Sequence, residues 1–390
     1  MKIPSALLPS PAEPAPFRTV MPPVHRAATV LFEDVNELQQ CDWRNRDAYT
    51  YGREGSPTTT ELERRLAALE GAHHVILLPS GLAAFSLACI ALLNAGDRVA
   101  LPANGYGTGS QMADRVLRRF GIEVSIYEPT TPATWQETIP HGTQLVWIEA
   151  PGSVTMEVPD LPLLIDHAHA AGALTAIDNT YSAGLHFKPF ELGIDLSMQA
   201  LTKFQSGGAD VVLGSLACMD ATLQERLHET RHFLGMSVSP DDAYLVLRGL
   251  HTLQLRYRQS SHSGEMIASW FRGRAGVLSV LFPPFEETPG SLHWKTHFSA
   301  AAGLFSIAFS EHIPTHQVNA FVDELQQFQI GFSWGGPISL VMVYGYTHSA
   351  VQRLRRMGEP VGQIVRFWIG LEDPTTLLND ITRAWERVMR

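Results

Sequence analysis

Lys203 stands in the run Gln199-Ala-Leu-Thr-Lys203, directly after a short apolar stretch, and an earlier apolar run, Ala176-Ile-Asp178, ends in an acid. If both runs are strands that finish side by side, an amine and a carboxylate meet at one edge of a sheet. That pair suits a ligand with an aldehyde and a basic ring nitrogen, which is the chemistry of pyridoxal phosphate. The amine forms an imine with the aldehyde, and the carboxylate keeps a proton on the ring nitrogen so that the ring can accept electrons. Taken singly, each residue also fits an exposed Lys or an ordinary strand-end Asp.

Four other places carry residue types that such chemistry needs. Ser80-Gly81-Leu82 lies between an apolar run and a helical one, where backbone N–H groups at a helix start can cradle a phosphate. Tyr51-Gly-Arg53 offers a charge-assisted phosphate contact. Tyr106, between two glycines, is placed to stack on a flat ring. Arg366 interrupts the apolar run Gln363-Ile-Val-Arg-Phe-Trp-Ile-Gly370, and a buried guanidinium needs a partner, such as a carboxylate held by two parallel bonds. Each also has a plainer reading: an ordinary turn, a solvated loop, a turn tyrosine, an edge-strand arginine.

The elements that must position these groups alternate. Glu61–Glu70 reads as a helix capped by Thr58–Thr60 and ended by Gly71. Strands are expected at 75–78, 98–101, 144–148, 174–177, 197–201 and 211–218, with helices at 82–93, 110–119 and 161–171 between them. Such alternation predicts a mostly parallel sheet covered on both faces, hence an α/β fold. A long helical stretch from Asp241 to about Arg272 leads to a C-terminal piece with strands at 303–309, 338–344 and 365–371 and helices at 351–355 and 376–388. The Pro-rich start, with Pro4, Pro9, Pro11, Pro14, Pro16, Pro22 and Pro23, is expected to be extended.

The chain has 390 residues, enough for two domains; it is 45% hydrophobic and 17% charged, with a net charge of −10. The acidic balance argues against nucleic acid and anionic membrane as partners. No apolar run approaches the roughly 20 residues of a membrane helix, and no secretory h-region is visible. Three scattered cysteines, Cys41, Cys89 and Cys218, fit a reducing cytoplasm. His73-His74 and His167-x-His169 lack the spacing of a metal site, so no metal is expected.

From Pro22 onward the chain resembles the Cys/Met-metabolism pyridoxal-phosphate enzymes of the aspartate-aminotransferase fold. Tyr51-Gly-Arg53 with Thr58 is similar to a family segment that reaches a neighbouring subunit's cofactor phosphate. Ser80-Gly81-Leu82-Ala-Ala84 resembles its phosphate turn, Asp178-Asn-Thr180 its ring-nitrogen acid, and Thr202-Lys203-Phe204 its imine lysine. Leu247-Arg-Gly-Leu-His-Thr-Leu253 resembles a family helix, and Arg366 with Gly370-Leu-Glu-Asp373 its carboxylate-binding arginine. Within the family, Glu149-Ala-Pro-Gly-Ser153-Val-Thr-Met-Glu157, Ser333-Trp334-Gly-Gly336 and Gln199-Ala200 resemble segments of bacterial cystathionine β-lyases. One departure stands out: after Lys203 the family's usual Gly-His-Ser-Asp is Gly207-Gly208-Ala209-Asp210.

The resemblance implies a fold type I transferase. It would have an N-terminal segment (1–58) reaching a neighbouring subunit, a large cofactor domain (59–250) with a mostly parallel seven-stranded sheet, and a smaller α/β domain (251–390). It implies pyridoxal 5'-phosphate held by Lys203, Asp178, Tyr106, Ser80, Gly81, Leu82 and Thr202, with Tyr51 and Arg53 completing the site across a subunit boundary. Lys203 and Tyr106 would be catalytic; Arg366, Ser333, Trp334 and Ser153 would meet an amino-acid substrate. The implied activity is β-elimination of cystathionine to homocysteine, pyruvate and ammonia by a cytoplasmic homotetramer. A broader C–S lyase or cysteine desulfhydrase, and a non-catalytic protein that keeps the fold, are the alternatives. A nucleotide-binding dehydrogenase is excluded, because no G-x-G-x-x-G follows the first strand.

Overall fold

The computed structural model describes residues 19–45 and 48–389. The first sheet consists of β1 (His74–Leu78), β2 (Arg98–Pro102), β3 (Glu123–Tyr127), β4 (Leu145–Glu149), β5 (Leu174–Asp178), β6 (Leu196–Gln199) and β7 (Gly214–Cys218). Its seven strands lie in the order β1-β7-β6-β5-β4-β2-β3, and β7 alone runs against its neighbours. The alternation in the sequence explains the layering. In β4, which is buried along its length, Leu145 and Trp147 join one apolar cluster with the helix Gly81–Leu92. Val146 and Ile148 join another with the helix Leu161–Ala170. A strand covered by helices on both faces must be apolar along its covered length, and this one is from Leu145 to Ile148, with the acid Glu149 only at its end.

A second sheet holds β8 (Val277–Leu281), β9 (Leu304–Ser310), β10 (Gln329–Ile330), β11 (Leu340–Tyr344) and β12 (Val361–Trp368), in the order β10-β11-β12-β9-β8. All its neighbours are antiparallel except β10 and β11. Apolar packing runs on from the first sheet to the second: Val146 and Ile148 share a cluster with Phe305, Ile307 and Phe367. The join also carries an ion triad in which Arg353 and Glu157 are buried and Glu128 is partly buried. The Arg353 guanidinium donates from Nε to Glu128 at 2.7 Å and from its other arm to Glu157.

Several expected elements have shifted bounds. The helix ending at Glu70 starts at Pro57, capped by Ser56 rather than by Thr58–Thr60. Ser56 and Thr59 satisfy each other's backbone N–H groups, and Pro57 takes the first helical position, where its missing donor costs nothing. The segment before it is not extended throughout, since Val35–Gln40 is a short helix; the prolines up to Pro16 lie outside the described residues. The stretch 241–272 is two helices, Pro240–Leu250 and Leu253–Phe271. At the break the Thr252 hydroxyl donates to the Gly249 carbonyl and accepts from Arg256 Nε, so a side chain competes with the helix backbone. Among the described residues no helix is long and apolar enough to cross a membrane.

Candidate active site

The C-terminal ends of β4, β5 and β6 lie side by side, and ligands of open α/β sheets bind outside such an edge. Asp178 ends β5 opposite Met198 of β6, and Lys203 follows β6 in a tight turn. The two turns are stitched together by one residue. Thr180 donates its N–H to Asp178 Oδ1 at 2.9 Å, and its hydroxyl accepts the Ala200 N–H at 2.9 Å. The Thr202 hydroxyl exchanges bonds with the backbone of Leu213, at 3.1 and 3.2 Å, which holds the Lys203 turn from the other side. Burial pushes the Asp178 pKa up; Thr180 and the Lys203 charge oppose that shift.

The Lys203 amine donates to Ser333 Oγ at 2.6 Å and lies 5.5 Å from the centre of the Trp334 ring. Burial, aided by the Arg366 charge and opposed by Asp178, lowers its pKa to about 8. Ser333 has φ +82°, a left-handed backbone that a non-glycine residue adopts only when its surroundings hold it there. The free-amine fraction of Lys203 therefore rises through about 8. Attachment of added pyridoxal phosphate to the apo-protein is expected to accelerate as pH rises through that value and then level off. Stopped-flow absorbance checks this; a rate still climbing towards pH ~10 would mark an ordinary lysine instead.

Ser80 caps the helix Gly81–Leu92, its hydroxyl accepting the Ala83 N–H at 2.9 Å. Helix geometry leaves the N–H groups of Gly81 and Leu82 without an intrahelical acceptor, so they can serve an anion. Gly81 is required by packing: a Cβ there would come within 2.8 Å of the Ala200 Cβ, beside the Lys203 turn. The cradle, the amine and the acid thus share one edge. A helix start with N–H groups open to an anion, a lysine of lowered pKa and a half-buried carboxylate suit the phosphate, aldehyde and ring nitrogen of pyridoxal phosphate.

Arg366 lies in β12 and is 9% exposed. It donates from one arm to the Ser153 carbonyl at 3.0 Å, and its guanidinium carbon sits 5.4 Å from the Tyr344 ring centre. Tyr344 and His348, whose rings are 4.5 Å apart, border this arginine and are absent from the sequence reading. The β11–β12 register places Tyr344 there: Met342 pairs with Arg366, so Tyr344, two residues on, shares its face. Tyr106 is 54% exposed and close enough to Arg366 and Tyr344 to influence their charges.

Tyr51 and Arg53 are not brought to this edge by their own chain. Tyr51, half exposed, forms a bridge to Thr29, and Arg53 donates to Glu54 at 2.9 Å and contacts His232 at 3.4 Å. The histidines set aside as metal ligands have other partners: His167 reaches the Ile139 carbonyl at 3.3 Å and His169 reaches Asp195 at 3.1 Å.

Sheet order, lysine turn and phosphate cradle together define a pyridoxal-phosphate enzyme of fold type I. The chain belongs to the Cys/Met metabolism PLP-dependent enzyme family, which matches residues 7–386. It is 32% identical over 370 residues to cystathionine beta-lyase MetC of Escherichia coli, covering 94% of this chain and 93% of that one. It is 31% identical over 378 residues to an L-alanine/L-glutamate racemase of Wolbachia pipientis, covering 94% and 92%. Among solved structures it is similar to cystathionine gamma synthase of Xanthomonas oryzae in complex with cystathionine, with a TM-score of 0.87, 29% identity and 95% and 94% coverage.

Proposed function

We propose that this enzyme cleaves L-cystathionine by β-elimination, releasing homocysteine, pyruvate and ammonia. The observation that carries the proposal is the 2.6 Å bond between the Lys203 amine and Ser333, in the Ser333-Trp334 segment that is lyase-like in sequence. Pyridoxal phosphate, when bound, supplies an electron sink that lets an amino-acid Cα–H leave as a proton. Arg366 fixes the substrate α-carboxylate, its guanidinium oriented by the Ser153 carbonyl and the Tyr344 face. The Lys203 amine, with its pKa near 8, takes up the Cα proton at Nζ, and Ser333 holds that nitrogen in place. Asp178 would hold a proton on the ring nitrogen, the N–H groups of Gly81 and Leu82 would bind the phosphate, and Tyr106 and Trp334 would flank the cofactor. Elimination would break the Cα–H and Cβ–S bonds, the thiolate leaving with a proton as homocysteine and the remaining three-carbon fragment taking up water to give pyruvate and ammonia.

The test is pyruvate release over a panel of thioether amino acids, with cysteine and cystine alongside. Cystathionine as the best substrate supports the proposal. A preference for cysteine would make the enzyme a desulfhydrase. Racemisation of alanine or glutamate without pyruvate would give it the activity of the Wolbachia relative.

The working unit is a cytoplasmic homotetramer built from dimers, in which Tyr51 and Arg53 complete the partner's phosphate site. Their exposure supports this arrangement, since both side chains stay open to a partner. Arg53→Ala is then expected to weaken cofactor retention about tenfold, the effect of losing one charge-assisted phosphate contact, with little change in thermal stability. Dialysis against a carbonyl-trapping buffer measures it. A variant that keeps its cofactor as firmly as the parent would remove Arg53 from the site.

A further inference from the structure

Glu149 ends β4 as the register partner of Asp178 at the end of β5. It is 7% exposed, and among the described residues no ion pair neutralises it. Its Oε2 accepts the backbone N–H of Tyr106 at 2.7 Å. We propose that Glu149 is a positioning residue that anchors the Tyr106 backbone and so sets the plane of the Tyr106 ring over the cofactor. The proposal rests on the role given to Tyr106 above.

The loop that carries Tyr106 is tied by backbone bonds up to Gly105, from Ala103 to Tyr127 and from Gly105 to Pro102, and at Tyr106 itself the bond to Glu149 is the side-chain anchor. Tyr106 is half exposed and stands at the start of the helix Gly107–Arg115 with no side-chain cap. Glycines on both sides place few limits on its backbone. The loop touches the chain after β4 at a second point, where the Ser153 N–H donates to the Asn104 carbonyl at 3.0 Å. The Ser153 carbonyl in turn holds Arg366. One short segment, Glu149 to Ser153, therefore sets both the ring cover and the carboxylate-binding arginine.

The groups facing Glu149 are Asp178, Glu157, Tyr106, Tyr127, Ser153 and Arg366. Burial and then the Asp178 charge push its pKa well above the usual range, while the Tyr106 N–H and Ser153 oppose. Two adjacent carboxyls at a buried edge do not both ionise at low cost. The Lys203 charge opposes the upward shift at Asp178, so we place the negative charge on Asp178 and the proton on Glu149. A neutral acid accepts the Tyr106 N–H through its carbonyl oxygen, and a glutamine amide accepts it equally well. The roles of the two acids are thus divided: one balances a cation, the other holds a loop.

The experiment compares wild type, Glu149→Gln, Glu149→Ala and Tyr106→Ala as holoenzymes. It reads the visible circular dichroism of bound pyridoxal phosphate and the cofactor dissociation constant from titration of the apo-proteins. Glu149→Ala is expected to diminish the dichroic band and weaken binding about tenfold, because it removes the acceptor of a partly buried N–H and frees the loop. Glu149→Gln is expected to keep the band and stay within about threefold. If Tyr106→Ala alters the band and Glu149→Ala does not, the positioning role is wrong and the Tyr106 role stands. If Tyr106→Ala leaves the band unchanged, the ring does not cover the cofactor and both fall. A Glu149→Gln as damaged as Glu149→Ala overturns the neutral role. Should the alanine variant not fold, Glu149→Asp, which withdraws the acceptor by one methylene, must diminish the band; an unchanged band there also overturns the proposal.

Discussion

Lys203→Ala is expected to abolish covalent attachment of pyridoxal phosphate and to cut pyruvate release by at least about a thousandfold. The size of the effect follows from the two duties given to one nitrogen. It is the point of attachment, and its loss also removes the base at Cα, a contribution of about 10²–10⁴ by itself. No neighbour can replace it. Ser333, 2.6 Å away, is a hydroxyl that no base at this edge activates, and Arg366 stays protonated at any accessible pH. Borohydride reduction followed by peptide mass spectrometry reads the first duty, and turnover of cystathionine reads the second. Added methylamine, which can enter the space left by the side chain, is expected to restore part of the rate. A Lys203→Ala protein that turns over cystathionine near the parental rate would falsify the assignment.

The meeting of Asp178 and Lys203 at neighbouring strand ends was legible in the sequence. Apolar runs ending in Asp178 and leading into Lys203 implied adjacent parallel strands, and β5 and β6 are paired in that sense. The same holds for the cap at Ser80, because a helix start is written in local residue types. What was not legible is what depends on distance along the chain. Nothing near Tyr344 or His348 announces that they border Arg366, since the contact is made by pairing β11 with β12. The Glu149 segment stood out as lyase-like in sequence, yet its bond to Tyr106 joins two loops that only the sheet order brings together.

The elements missed have physical reasons too. β3 is the outermost strand of its sheet, and its residues Glu123, Val124, Ser125 and Ile126 are exposed or half-exposed, so the apolar run that marks a central strand is absent. The helix Ala221–Phe233 buries only Leu227, His228 and Arg231, and a face with one aliphatic residue carries no clear 3.6-residue pattern. The helix expected at 110–119 starts at Gly107 and gives way after Arg115 to a tighter turn, Leu117–Phe120, closed by Gly121. The Gly208-Ala209 departure gains a partial account. Ala209 has φ +60° and its Cβ would crowd a Cβ on Gly336, so the two loops over Lys203 approach closely here.

Arg366→Lys is expected to lower kcat/KM for amino-acid substrates about 30- to 1000-fold while the spectrum of the bound cofactor stays nearly unchanged. The structure explains why a conserved charge is not enough. The guanidinium is almost wholly buried, donates one arm to the Ser153 carbonyl at 3.0 Å, and lies against the Tyr344 ring. That leaves its other arm and Nε to meet two carboxylate oxygens in one plane. An ammonium group is a point charge, and it cannot serve the carbonyl and both oxygens from one position. Losing part of a buried, hydrogen-bonded charge pair costs about 2–4 kcal/mol, which is the stated range when each 1.4 kcal/mol is a factor of ten. The cofactor contacts are separate, because Asp178, the Lys203 turn and the Ser80 turn lie at the edge of the first sheet and Arg366 in a strand of the second. Steady-state kinetics on cystathionine and a visible spectrum of the same preparation check both halves. Loss of cofactor absorbance with substrate affinity intact would mean that Arg366 supports the fold through Ser153 and Tyr344, and the substrate carboxylate would have to bind elsewhere.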